Sequence, residues 1–89
     1  MAKWNYTLRF GKNLREAIEA EDTEIIVKCL ITCYRELLNK LSDDDKDLIE
    51  FDIEDAIYNL ENFDPEEDID DYLSCFYDVC DDVRAWITI

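Results

Sequence analysis

The stretch "DTEIIVKCLITCYRELLNKL", from Asp22 to Leu41, holds the most continuous apolar pattern in the chain. Its large apolar residues recur at the three- and four-residue intervals of an α-helix. They cover most of the helix circumference, which is typical of a helix that packs on several sides. Asp22 or Thr23 can cap its N-terminus, and we predict that this stretch forms the central helix of the fold. The residues that define the pattern are Ile26, Cys29, Leu30, Cys33, Leu37 and Leu41.

Carboxylates dominate the sequence that follows this stretch. Residues 42–82 hold eighteen acidic side chains and one basic side chain, Lys46, whereas residues 1–40 hold seven basic and six acidic side chains. The whole chain of 89 residues carries a net charge of −15. Its hydrophobic content of 48% is far above that of a disordered acidic tail. The composition therefore predicts one folded domain, residues 1–89, with its charge concentrated in the second half.

Capping patterns predict three further helices. Asn13 and Glu16 form a capping box that predicts a short helix over about residues 13–20. Ser42 precedes three aspartates, which the helix dipole favours in a first turn. Asp64 precedes Pro65 and two glutamates, and this order predicts a helix that begins at Pro65. With one Gly and one Pro in the chain, the patterns predict a mainly α fold, a small bundle of three to four helices.

The two ends of the chain have the composition of strands. Trp4, Tyr6, Leu8 and Phe10 alternate with polar residues, which is the period of a half-buried strand. The last five residues, "AWITI", are also rich in strand formers. The two ends can form a short two-stranded ribbon, or the first end can pair with another copy of the chain. An irregular or helical N-terminus is the third alternative.

Helical spacing groups the carboxylates of the last two helices. At about 100° per residue, five carboxylates of the third helix fall within about 40° of one line, away from its apolar stripe. Those of the fourth helix also lie opposite an apolar stripe. If the two helices form an antiparallel hairpin, we expect two anionic faces side by side. The predicted residues are Asp43, Asp47, Glu50, Glu54 and Glu61 on the third helix, and Glu67, Asp70, Asp71, Asp78, Asp81 and Asp82 on the fourth.

The density of this charge is close to that of duplex DNA. Helices of roughly 20 residues run about 30 Å, and duplex DNA of that length carries roughly 18 negative charges. The hairpin carries eighteen carboxylates. Such a surface can occupy the nucleic-acid-binding site of a basic partner protein. A solvated face that only keeps the chain soluble is the alternative.

Three aromatic residues lie beside the carboxylates rather than on the apolar stripes. They are Phe51 and Tyr58 on the third helix and Tyr77 on the fourth. Aromatic side chains exposed within a charged surface are common at the centres of interfaces, so we include them among the partner-binding candidates. They can instead pack beneath a neighbouring helix or the N-terminal segment, and the sequence slightly favours this second arrangement.

The four cysteines are expected to be core side chains. Cys29 and Cys33 lie about one helical turn apart, as do Cys75 and Cys80, but zinc sites usually have a two-residue knuckle spacing, and the chain has no His. Each lies on or beside an apolar stripe, where a free thiol acts as a small hydrophobe. The segment that starts at Asp64 lacks the Gly and the final Glu of a calcium loop. We expect no metal site and no cofactor.

The composition disfavours several classes of function. Without His the chain lacks the commonest general base, and it has no Gly-rich phosphate loop, so we expect no enzyme activity. The acidic face opposes direct binding to nucleic acid and to anionic membranes. No apolar run approaches the roughly 18–20 residues of a membrane span, and no secretory signal is evident. We expect a cytoplasmic protein, in the host cell cytoplasm if a phage encodes it.

In size, charge and helicity, the chain resembles small acidic proteins that phages and mobile elements direct against host defence. These include anti-CRISPR and anti-restriction proteins that mimic DNA. It also resembles bacteriocin immunity proteins, which are acidic four-helix bundles that bind a basic nuclease. The resemblance implies an inhibitor that occupies a basic nucleic-acid-binding surface of a partner protein, and it assigns no role to any residue. The alternative is a self-assembling or adaptor module, in which the near-neutral first half, with Lys3, Arg9, Lys12 and Arg15, docks on the acidic face of another copy to give a homodimer.

Overall fold

The computed structural model describes residues 6–9 and 11–87, and it shows a bundle of four α-helices with a short two-stranded ribbon. The prediction of a mainly α bundle is confirmed. In chain order the elements are β1 (Tyr6–Leu8), α1 (Gly11–Glu19), α2 (Thr23–Lys40), α3 (Asp43–Glu61), α4 (Ile69–Val83) and β2 (Ala85–Ile87).

The central element is α2, as predicted. It packs against α1, α3, α4 and β1, and it contributes Leu30, Cys33 and Leu37 to the core with no exposed surface. The ring of Tyr34 meets the ring of Phe76 on α4 edge-on, with 5.0 Å between centroids.

The buried residues of the described chain are all apolar, so apolar contacts hold the bundle together. The side chain of Glu36, which is 8% exposed, accepts hydrogen bonds from the backbone N–H of Arg9 and from Nζ of Lys40.

Two of the predicted helix caps are present. The carboxylate of Asp22 accepts a hydrogen bond from the backbone N–H of Ile25 at 3.3 Å and caps α2. The hydroxyl of Ser42 accepts one from the backbone N–H of Asp45 at 3.4 Å and caps α3. Both caps depend on contacts within four residues, which is why the local sequence predicts them.

The predicted start of the first helix is wrong by two residues. It begins at Gly11, and Asn13 lies exposed inside it. Gly11, Leu14 and Ala17 are buried, so the first turn packs against the rest of the bundle. These contacts outweigh the local preference of the capping box.

The predicted helix start at Pro65 is also wrong, because α4 begins at Ile69. The carboxylate of Asp64 accepts a hydrogen bond from the backbone N–H two residues later at 3.0 Å, within the turn formed by residues 64–67. All four of these residues are exposed, so continuing the helix through them would bury no apolar surface. Asp68 caps α4 by the same kind of hydrogen bond, also at 3.0 Å.

The two ends form a parallel ribbon, one of the three alternatives that the sequence leaves open. Tyr6 pairs with Ala85 at its first position, and the register continues for three residues. Leu8 and Ala85 are buried, and β1 packs on α2 while β2 packs on α4. This packing supplies the support that an isolated ribbon lacks. Trp4 and Phe10 of the predicted alternation lie outside the described residues.

Two helices end at a non-glycine residue in the left-handed conformation. Glu21 and Arg84 both have φ of 56°. After α1, the N–H of Glu21 donates to the carbonyl of Ile18 and the N–H of Asp22 donates to the carbonyl of Ala17, the two bonds of a Schellman motif. Glycine adopts this conformation without the steric cost of a Cβ atom.

We expect Arg84→Gly to raise the free energy of unfolding by about 0.5–1 kcal/mol. The relief of left-handed strain is larger than the entropy that glycine adds to the unfolded chain. Urea denaturation followed by circular dichroism measures the change. Arg84→Ala is the control, because it removes the same charge but keeps the Cβ atom. Equal gains in the two variants would show that charge, and not backbone strain, is responsible.

Candidate functional site: an acidic surface with exposed aromatic side chains

The eighteen carboxylates of residues 42–82 lie on the outside of the bundle. Nine are on α3, four are in the connection of residues 62–68 and five are on α4. Sixteen are exposed, and Asp45 and Glu50 are partly buried. We call these eighteen residues the acidic surface. Carboxylates thus crowd one half of the molecule, and none is withdrawn into the core.

Ion pairs among the described residues neutralise little of this charge. Within the part of the chain that the structure describes, Glu61 is the only carboxylate of the acidic surface in an ion pair, with 2.7 Å between its Oε1 atom and Nη2 of Arg35. Three further ion pairs of the described residues lie within residues 15–40. The acidic surface is therefore available to cations from outside the chain.

Besides Asp64 and Asp68, which close a turn and cap α4, Asp45 of the acidic surface has a structural role. The hydroxyl of Tyr6 donates a hydrogen bond to the carboxylate of Asp45 and accepts one from the backbone N–H of Ser42 at 3.0 Å. This arrangement ties β1 to the first turn of α3. Asp45 is therefore better explained as part of the fold than as part of a binding surface.

A groove of about 330 Å³ separates α3 from α4. Partly buried apolar side chains, including Ala56 and Val79, line it together with three exposed aspartates. Asp52 and Asp55 come from α3, and Asp78 comes from α4. The groove thus combines apolar surface with carboxylates on both sides.

The α3 carboxylates that lie beside α4 are not the ones that the sequence predicted. Asp52 and Asp55 line the groove, and the sequence analysis did not include them. The predicted line lies roughly 140° around the helix from the groove residues, and Glu61 on that line faces α2 through its ion pair with Arg35. Helical spacing gives directions around one helix but does not say which neighbour lies on which side, so the sequence carried no signal for this choice.

The predicted acidic residues are distributed as follows. Glu67 was predicted on the fourth helix but lies exposed in the connection before α4, because that helix begins later than predicted. Glu50 is partly buried on α3. The others are exposed: Asp43, Asp47, Glu54 and Glu61 on α3, and Asp70, Asp71, Asp78, Asp81 and Asp82 on α4.

Large apolar side chains stand exposed among these carboxylates. Phe51 is 86% exposed and Tyr58 is 66% exposed, so the expectation that they pack beneath a neighbour is wrong. Tyr77 is 43% exposed and lies against the ring of Phe76, with 6.0 Å between centroids. Leu48 is 68% exposed and was not among the predicted residues. It lies three residues before Phe51, a spacing that makes two residues neighbours on a helix surface and could have identified it. We call Leu48, Phe51 and Tyr58 the apolar row.

The four cysteines differ in burial. Cys33 and Cys80 are buried as predicted, and burial raises the pKa of each thiol to about 12. Cys29 is partly buried. The expectation of a core position is wrong for Cys75, which is exposed and lines the groove between α3 and α4. In the described ranges no cluster of three or more His, Cys, Asp or Glu residues is placed to hold a metal ion.

We expect one thiol of the folded protein to react much faster than the others with a reagent such as dithionitrobenzoate. Cys75 is exposed, whereas burial and a raised pKa keep Cys33 and Cys80 protonated and inaccessible. Mass spectrometry of modified peptides at pH 8 identifies the reacting residue. Modification in urea, where all four thiols should react, is the control. Rapid modification of Cys33 or Cys80 without denaturant would contradict the packing of α2 against α4.

Comparison of the chain with protein-family models, with curated proteins and with solved structures gives no match. Over residues 6–9 and 11–87, no helix has the length and apolarity needed to cross a bilayer.

Proposed function

We propose that this protein acts by binding, and that its acidic surface occupies a basic nucleic-acid-binding surface on a partner protein. The partner would then be blocked from its nucleic acid, which is the mode of action of anti-CRISPR and anti-restriction proteins that mimic DNA. The observation that carries the proposal is the set of exposed carboxylates, of which one has an ion pair within the described chain. The proposal requires no catalysis and no cofactor, and we place the encounter in the cytoplasm.

The size of the charge supports a nucleic-acid-like surface. The longest dimension of the molecule is 35 Å. Duplex DNA of that length carries roughly 20 negative charges, one for every ~1.7 Å of its axis. The acidic surface carries eighteen. A protein that binds the phosphate backbone by its lysine and arginine side chains would meet a comparable field here.

The uneven distribution of charge also supports a binding role. Crowding like charges in one half destabilises the folded state by self-repulsion, and solubility alone would be served by charges spread over the whole surface. A cationic partner relieves this repulsion when it binds. It would also be steered toward the acidic surface by a field that weakens as salt rises.

Displacement by DNA tests the proposal. We expect the immobilised protein to retain nucleic-acid-binding proteins from a bacterial extract, and we expect short DNA oligonucleotides to elute them. Neutralising the groove with Asp52→Asn, Asp55→Asn and Asp78→Asn should weaken retention about tenfold, since three charge pairs of a few tenths to one kcal/mol are lost. Mass spectrometry and quantitative blotting measure both effects.

A matched variant separates the acidic surface from net charge. Glu16→Gln, Glu21→Gln and Glu24→Gln remove the same three charges from the first half of the chain. We expect this variant to retain partners as the unchanged protein does. Sodium chloride at the ionic strength of the DNA solution is the elution control. Retained proteins that DNA fails to displace would contradict nucleic-acid mimicry.

The proposal also makes a prediction about self-association. Because the acidic surfaces of two copies repel each other, we expect a monomer in sedimentation velocity experiments at both low and high salt. The alternative, in which Lys12 and Arg15 dock on another copy, predicts an oligomer that dissociates as salt rises. Observation of such an oligomer would favour the self-assembling module over a foreign partner.

A further inference from the structure

The apolar row on α3 has no counterpart on the outside of duplex DNA. A duplex presents phosphates and sugars outward and keeps the faces of its bases in the stack. Leu48, Phe51 and Tyr58 instead keep 66–86% of their surface in water. Solubility does not require them, because the net charge of −15 already serves it. A charged duplex-like surface alone therefore leaves these side chains unexplained.

Each ring of the apolar row stands between carboxylates on the same helix. Residues three and four positions apart are neighbours on a helix surface, with about 5–6 Å between Cβ atoms. Phe51 thus has Asp47 on one side and Glu54 and Asp55 on the other. Tyr58 likewise follows Glu54 and Asp55 and precedes Glu61. Rings alternate with negative charges along about two turns of exposed helix.

This alternation is the surface chemistry of a single-stranded nucleic acid. In a single strand the unstacked bases offer flat faces next to the phosphates. Proteins that bind single strands combine a cationic groove with aromatic side chains on which the bases stack. Phe51 and Tyr58 are seven residues apart, so their rings lie about 10 Å apart along the axis and can meet separate aromatic platforms.

We propose that the outer face of α3 mimics a single-stranded nucleic acid, with carboxylates in the place of phosphates and the rings of Phe51 and Tyr58 in the place of unstacked bases. The occupant of this face is a protein surface on which aromatic side chains lie between lysine and arginine residues. The charge of that occupant follows from complementarity with the carboxylates around the apolar row. The inference rests on the proposed function and names the kind of nucleic-acid-binding surface involved.

Two synthetic peptides of equal charge test the inference. One has five lysines and two tryptophans, and the other has alanine in place of both tryptophans. Titration of the ¹⁵N-labelled protein with each peptide, followed by NMR, gives the affinity and the contact surface. At roughly 0.3 M NaCl, where exposed charges are strongly screened, we expect the tryptophan peptide to bind about tenfold more tightly, because aromatic stacking persists when charges are screened. Its chemical shift changes should centre on the apolar row.

Variants establish which residues cause the difference. Phe51→Ala with Tyr58→Ala should abolish the advantage of the tryptophan peptide, and both side chains are exposed, so the fold should survive. Ile25→Ala is the matched control: Ile25 is 46% exposed but lies on α2, outside the acidic surface, and this variant should keep the advantage. The shift map of the unchanged protein provides a second measurement that needs no variant.

The outcomes separate this inference from the proposed function. If both peptides bind the acidic surface equally and only at low salt, or if the tryptophan peptide contacts residues away from α3, the single-strand inference is overturned while the proposed function stands. If neither peptide binds at low salt, the acidic surface does not attract cationic partners, and both fail.

Discussion

The packing of α2 against α1, α3, α4 and β1 is the constraint on which the rest of the molecule depends. A chain with twenty-four acidic side chains has few places to put them, and the core must be built almost entirely from apolar residues. α2 makes this feasible because it contributes Ile26, Leu30, Cys33, Tyr34 and Leu37 to a core in which every buried residue of the described chain is apolar. With the centre supplied by α2, α3 and α4 each need to bury only one stripe, and their remaining surface is free to carry charge. Placing the like charges on two peripheral helices limits the repulsion between them, since water surrounds most of each helix.

The parts of the fold that the sequence predicts are those decided by local chemistry. Asp22 and Ser42 cap helices through hydrogen bonds to residues three positions later, and the periodicity of α2 is visible without knowledge of its neighbours. The predictions fail where distant contacts compete with local ones. The pattern at Asp64 and Pro65 has the form of a helix start. The exposed residues there form a turn instead, and α4 begins at Ile69. The helix start predicted at Asn13 is also wrong, because the burial of Gly11 favours an earlier start of α1.

The candidate site shows the same division between local and distant information. Helical spacing placed eleven carboxylates on outer faces, and ten of these are exposed. It could not show that Asp52 and Asp55, rather than the predicted line, face the groove beside α4. Nor could it show that Phe51 is uncovered, because an aromatic residue beside an apolar stripe is buried or exposed according to where the next helix lies. The direction of helix packing is a tertiary property, and in this chain it decides which residues a partner can reach.

The carboxylates and the exposed rings of α3 offer two different contributions to binding, one at long range and one at contact. Carboxylates act over a Debye length, so under the proposed function they would bring a cationic partner to the correct side of the molecule and lose this effect as salt rises. Rings act only at contact, where removal of apolar surface from water is nearly independent of salt. In a cell, where competing nucleic acids carry the same charge, attraction alone gives little selectivity. The exposed ring of Phe51, flanked by Asp47 and Glu54, adds an apolar contact that a duplex lacks. A partner attracted by the carboxylates would then be selected by the shape and the aromatic content of its own binding site.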